Sequence, residues 1–275
     1  MLNQQQIDQF KRDGLLVLDC QLEESLLERA VSGVEPHYEY LEGSGQYAHG
    51  TRIQNAWRFN SAVRSIALDR RVEYALRVLF GRKPRPFQTL NFPVGTEQKT
   101  HSDTIHFNSQ PSGFMAGAWV ALEDVDENNG ALTYYPGSHT LPEVTMQDVG
   151  VPPSYAHYPE YERFIQAMVE EKGLLPVRGV LKKGQVLIWH ANLLHGGGSH
   201  PDKSRSRHSQ VTHYYFDGCR YFTPMHSTET EISWRKPRWI RRFSPYRAPG
   251  KRRSLISPLA KATRNFARVF SGTEN

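Results

Sequence analysis

At 275 residues, 38% hydrophobic and 11% aromatic, the chain is large enough for a substantial core in one principal domain, and no stretch approaches the roughly 20 apolar residues of a membrane span. The net charge of +6 is unevenly spread: Arg235 to the end holds twelve Lys/Arg against one acid, Glu274, leaving 22 basic against 27 acidic residues before it. Two cysteines, Cys20 and Cys219, exclude a disulfide scaffold or a zinc–cysteine site, and Met1–Gln6 has neither the basic segment nor the apolar run of a signal peptide, so the expected compartment is the cytoplasm.

Ile7 and Phe10 sit at helical spacing between Gln4 and Lys11, a segment ended by Asp13-Gly14, and Leu15 to Leu18 reads as a short buried strand. Leu22, Leu26, Leu27 and Ala30 share one face and predict a helix from Glu23 to Val31. Residues 35–60 show no clear period. Val63 to Phe80 is expected to form one helix, stopped by Gly81 and Pro84, so that residues 1–85 make a helical flank.

From Pro86 the texture changes to short extended runs: Phe87 to Phe92, the segment around His101, Phe114 to Leu122, Ala131 to Tyr135, Val177 to Leu181, Val186 to Trp189 and Gln210 to Phe216. Asn129-Gly130 is a hairpin signal that would join the Trp119 strand to Ala131–Tyr135. Pro136-Gly137-Ser138-His139 reads as an architectural turn. Seven or more short strands mean a sandwich or barrel over 86–225, flanked by helices and interrupted by an insertion at 141–176. In that insertion Tyr161, Phe164, Ile165, Met168 and Val169 predict an amphipathic helix from Pro159 to Lys172, either a lid or a brace.

The extended segment Thr100-His101-Ser102-Asp103-Thr104 carries the first chemistry. In a strand, His101 and Asp103 would share a face, giving two of the three ligands of a 2-His-1-carboxylate site for non-haem Fe(II). A second histidine is offered by His190 or His195, ahead of Gly196-Gly197-Gly198, and alternation from Ile188 leaves His190 open. Twelve residues after His195 stands Arg207, with Arg205 as a competitor. An arginine there is suited to grip a carboxylate with two parallel hydrogen bonds. A metal triad with such a clamp points to a 2-oxo acid co-substrate. Any one of the 12 histidines taken alone reads as a surface or hydrogen-bonded core residue; the combination carries the signal.

These pieces resemble the phytanoyl-CoA dioxygenase family of Fe(II)- and 2-oxoglutarate-dependent oxygenases, which includes the ectoine hydroxylases. The matching residues are Phe10, Asp13-Gly14 with Leu15, Val17 and Leu18; His101-Ser102-Asp103; Trp119 to Leu122 with Asn129-Gly130 and Leu132; Pro136 to His139; and Gly184, His195-Gly196 and Arg207, together covering most of residues 1–216. The resemblance implies a double-stranded β-helix, a cupin-like jelly roll with its metal at one mouth. It selects His195, which precedes a glycine and stands eleven residues after Gly184, and it favours Arg207, six residues before His213. It places amides near the co-substrate, here Gln88 and Asn91, while Thr104, His106 and Asn108 follow the first ligands on the expected substrate side.

The implied cofactors are Fe(II), 2-oxoglutarate and O2. The implied reaction hydroxylates an unactivated C–H bond of a small-molecule or lipid-like substrate, releasing succinate and CO2. Desaturation, epimerisation or ring formation by the same centre is the enzymatic alternative, and a non-catalytic cupin-like binding protein the other. With Asp103 present, the chain does not resemble the related halogenases.

The basic C-terminal extension, 226–275, is expected to touch an anionic membrane through residues 234–272 rather than to bind nucleic acid. Ser257-Pro258 and Gly272 bracket a helix with Leu259, Ala262, Phe266, Val269 and Phe270 opposite Lys261, Arg264 and Arg268. Upstream, Trp234, Trp239, Phe243 and Tyr246 interleave with arginines. Packing of this helix on its own barrel is the competing expectation.

Overall fold

The computed structural model describes residues 2–40, 47, 48 and 50–242. The helices are α1 (Gln4–Asp13), α2 (Glu24–Ser32), α3 (Ser61–Ala67), α4 (Arg70–Phe80), α5 (Met146–Val149) and α6 (Tyr158–Glu171). The strands are β1 (Leu15–Asp19), β2 (Ile53–Gln54), β3 (Pro84–Phe92), β4 (Asn108–Gln110), β5 (Met115–Ala121) and β6 (Leu132–Tyr134), then β7 (Val177–Gly179), β8 (Gln185–His190), β9 (His195–Gly197), β10 (Ser209–Phe216), β11 (Arg220–Phe222) and β12 (Trp234–Arg235). One antiparallel sheet has the order β1-β8-β5-β10-β3-β2; two three-stranded sheets, β7-β6-β9 and β12-β11-β4, complete the expected jelly roll.

Period-two alternation decides what each face of the large sheet does. Ala116, Ala118, Val120, Val186, Ile188, Tyr214 and Phe216 turn outward and pack with Leu27, Val63, Ile66, Val72 and Leu76 of α2, α3 and α4. Burial of each such aliphatic side chain is worth about 1.5–3 kcal/mol, so the helical flank is continuous with the barrel core. The intervening residues Trp119, Leu187, Trp189 and Val211 turn inward. Where β3 meets β10 the register slips between His213 and Tyr214, with His213 opposite Gln88 and Tyr214 opposite Pro86. This bulge turns two successive β3 residues inward: Gln88 meets His213, while Phe87 stacks on Tyr215 at 4.3 Å between ring centroids.

Four expectations are corrected. The helix expected over Val63–Phe80 is two, because the chain breaks after Leu68 and Asp69 caps α4 by accepting from the Arg71 and Val72 amides. Asn129-Gly130 closes no hairpin between the Trp119 strand and β6. Its Asn129 amide instead bonds Asp124 O and Ser206 O, and the chain crosses from the large sheet to a small one. His101 lies in no strand; it forms an isolated bridge with His195, and Asp103 opens a 3-10 turn, Asp103–Ile105. The extension expected to begin at 226 is folded to residue 242: β12 joins a sheet, Ile240 is buried in the main core, and Trp239 packs against Tyr221 beneath the Arg85 guanidinium. The membrane helix expected over 257–272 lies outside the described residues. No helix among those described is long and apolar enough to cross a membrane.

α6 is a brace. Tyr161, Ile165 and Val169 pack with Ile105 and Leu194, and Tyr161 Oη accepts from the Ser102 amide at 3.2 Å, directly behind the His101–Asp103 segment.

Candidate metal centre and cavity

His101, Asp103 and His195 come together without a strand holding all three. The His101 amide donates to His195 O and the His195 amide to His101 O, each at 2.9 Å, while the Asp103 amide is held by Ala191 O at 2.9 Å. The glycine run makes this approach feasible: a Cβ on Gly196 would lie 2.7 Å from Gln98 O and one on Gly197 2.6 Å from Glu97 N. β9 therefore presses directly against the backbone that leads into His101.

One ligand atom from each of the three residues lies within 4.8 Å of the others, a separation that fits one metal ion. Their chemistry fits too. His101 Nδ1 is 2.9 Å from Lys99 O and His195 Nδ1 is 2.9 Å from Leu193 O. A carbonyl only accepts, so each Nδ1 carries a proton and each Nε2 is the nitrogen left to face a metal. Burial, then the neighbouring His195, push the His101 imidazole down to about 4, which keeps it neutral. Burial alone would raise the Asp103 carboxyl, but His195, His213, His101 and the Trp189 N–H outweigh it and hold it below the usual carboxylate range. Trp189 Nε1 donates to Asp103 Oδ2 at 2.8 Å.

A cavity of about 850 Å³, measured with its open mouth, contains the triad. On one wall Arg207 is 2% exposed, with Nη1 donating to Ser209 Oγ at 2.6 Å and Nη2 to Val94 O at 3.2 Å. Among the described residues its Nε and the Nε1 of the fully buried Trp119 find no acceptor, and the guanidinium carbon stands 5.3 Å from the Trp119 ring. Two orphan donors on one cavity wall call for an acceptor-rich ligand such as a carboxylate. Burial draws the Arg207 guanidinium down to about 10, still protonated at neutral pH.

The remaining expected residues divide. Gln88 lines the cavity and its Oε1 is 2.7 Å from His213 Nδ1. His106 lines it as well, stacked on Tyr155 at 5.7 Å, and burial pushes its imidazole down to about 3. Asn91 does not line it: alternation turns it to the helix side, opposite Gln210, whose amide bonds Val63 O. Thr104 is tied to Ser102 and Asn192 behind the site, and Asn108 to Glu143, because the 3-10 turn at Asp103 ends the alternation that would have aimed them inward. His190 faces outward against Phe80, ring planes 11° apart, away from the triad. Arg205 pairs with Asp126 at 2.9 Å on the surface. Sequence reasoning singled out neither Trp119, Trp189 nor Arg52, all of which line the cavity, and it used His213 only as a spacing mark. A tryptophan in an apolar strand reads as core, so only the alternation shared with Gly117 and Val211 marks these two as inward.

A jelly roll with two histidines and one carboxylate meeting in its cavity defines the class of double-stranded β-helix proteins with a facial-triad metal site. The chain belongs to the phytanoyl-CoA dioxygenase (PhyH) family, whose model matches residues 10–209. It is 28% identical over 152 residues to the peroxisomal phytanoyl-CoA dioxygenase of Bos taurus, covering 52% of this chain and 42% of that protein. The Rattus norvegicus enzyme is 27% identical over 195 residues, covering 66% and 54%. The chain thus spans about half the length of the curated relatives it matches.

Among solved structures, the epimerase SnoN in complex with Fe3+, alpha ketoglutarate and nogalamycin RO has a TM-score of 0.63 at 19% identity, covering 86% of this chain and 98% of that one. EctD from S. alaskensis with 2-oxoglutarate and 5-hydroxyectoine has 0.59 at 19% identity, covering 88% and 84%. At these identities the likeness is one of fold.

Proposed function

We propose that this chain is an Fe(II)- and 2-oxoglutarate-dependent oxygenase that hydroxylates an unactivated C–H bond of a small-molecule or lipid-like substrate. The observation that carries the reading is the meeting, in one cavity, of the His101–Asp103–His195 donor set with the unsatisfied donors of Arg207 and Trp119. Family membership and the fold of SnoN and EctD support the same class.

When bound, the iron supplies the O2 chemistry that no side chain possesses, coupled to decarboxylation of 2-oxoglutarate to succinate and CO2. The chain's own residues bind and orient. His101 and His195 present their Nε2 atoms, and Asp103 presents an anionic oxygen. Arg207 holds the distal carboxylate of the co-substrate, with Trp119 Nε1 as a second donor from the same wall. Leu90, Phe92 and Val211 exclude water from that side. His106, Phe107 and Arg52 also line the cavity and are left for the substrate to meet.

The test is succinate formation and O2 uptake by the protein loaded with Fe(II) and 2-oxoglutarate. A chelator should abolish both. His101→Ala, Asp103→Ala and His195→Ala should each lower turnover by more than about 100-fold, beyond the 10–100-fold typical of losing a ligand's supporting partner, while His190→Ala keeps it. An Fe(II)-loaded wild type that forms no succinate, or the reverse ranking of the two histidines, sinks the reading.

A further inference from the structure

We propose that Trp189 is a positioning residue that commits the Asp103 carboxylate to metal ligation through one oxygen, and that Gly117 is present to seat its indole. The inference rests on the metal-site reading above. Trp189 Nε1 donates to Oδ2 at 2.8 Å, while Oδ1 lies 4.0 Å from His195 Nε2. His213 Nε2 stands 3.8 Å from Oδ2, too far for a hydrogen bond. Among the described residues the indole is therefore the side-chain donor that decides which oxygen is turned away from the cluster. A carboxylate with both oxygens free can rotate or bind through both, consuming a position that a facial triad leaves open.

The indole reaches Oδ2 because the strand beside it is empty at one point. Gly117 of β5 pairs with Trp189 of β8, and a Cβ on Gly117 would lie 2.2 Å from Trp189 Cε2 and Cζ2 and 2.8 Å from Cη2. Cε2 carries Nε1, so any side chain there must displace the donor itself. The other inward positions of β5, at Met115, Trp119 and Ala121, all carry side chains.

The experiment is anaerobic calorimetric titration of the full chain with Fe(II) and with Co(II), metal alone, alongside the visible spectrum of the Co(II) form. Trp189→Phe, which keeps a buried ring and removes the N–H, should weaken metal binding by about 10–100-fold and alter the Co(II) spectrum. Gly117→Ala should do the same through the displaced indole. In Gly117→Ala/Trp189→Phe the two losses should not add, because the second acts only through the first. Circular dichroism checks folding, and if Gly117→Ala fails to fold the Trp189→Phe result alone decides. Affinity within about twofold of wild type for a folded Trp189→Phe, or fully additive losses, overturns the proposal. A wild-type chain that binds neither metal instead overturns the metal-site reading beneath it.

Discussion

Arg205 and Arg207 differ by two positions and by nothing in chemistry, yet the first lies at the surface against Asp126 and the second is enclosed beside Trp119. Removing one partner of a desolvated charge pair typically costs about 2–5 kcal/mol, whereas an exposed ion pair is worth about 0–1 kcal/mol. Arg207→Ala should therefore raise the 2-oxoglutarate dissociation constant by at least about 30-fold, and Arg205→Ala by less than about fivefold, measured by calorimetry on the metal-loaded protein. Equal effects would remove Arg207 from the clamp. At this scale spacing alone left His190 open beside His195 and Arg205 beside Arg207; the family resemblance made the choice, and the structure puts His195 and Arg207 on the cavity wall with His101 and Asp103. Asn91 and Gln88 show the opposite case: both are amides in one strand, three positions apart, so alternation puts them on opposite faces, and only the pairing with β10 decides that the Gln88 face is the cavity's.

The elements that hold the triad are less regular than the spacing of its residues implied. His101 and Asp103 converge because a two-residue bridge to β9 is followed at once by a 3-10 turn, and the chain behind that turn leans on α6. Tyr161 is fully buried there, its Oη within 3.2 Å of the Ser102 amide and 3.1 Å of Ser102 Oγ. Tyr161→Phe leaves a buried amide without its acceptor, so it should destabilise the fold by about 1–3 kcal/mol in denaturant unfolding, with the slope unchanged. A loss under about 0.5 kcal/mol would mean that α6 covers the site without bracing it. α1, β1 and α2 followed from periodicity, whereas β2 lay in a stretch without a period and, further on, the apolar spacing ran across Leu68 and hid the capping signal of Asp69. Asn129-Gly130 misled because its local turn preference says nothing about which sheet receives the next strand.

For the whole molecule, the charge asymmetry is sharper than the boundary at Arg235 implied. Residues after Arg242 hold seven Lys/Arg and one acid, so the 242 before them carry 27 of each sign and the entire net charge of +6 belongs to the last 33. We propose that this segment attaches the protein to an anionic bilayer, where each basic residue near the surface contributes about 1 kcal/mol. In co-sedimentation with phosphatidylserine vesicles the full chain should pellet at low salt and be released at high salt, while a chain ending at Arg242 stays in the supernatant. If both stay in the supernatant at low salt, the attachment is refuted. The order of strands in the large sheet has its own consequence for synthesis. Among the described strands β1 pairs with β8 alone, with Leu15 opposite Trp189, so on the ribosome the first strand waits for well over a hundred residues before its partner exists. β10, the strand that joins β3 to β5, emerges later still. Such distant pairings close slowly and leave edges open meanwhile. The nascent chain therefore cannot bring His101, Asp103 and His195 together until His195 has left the exit tunnel, so a metal held by all three side chains would bind only after most of the barrel has been synthesised.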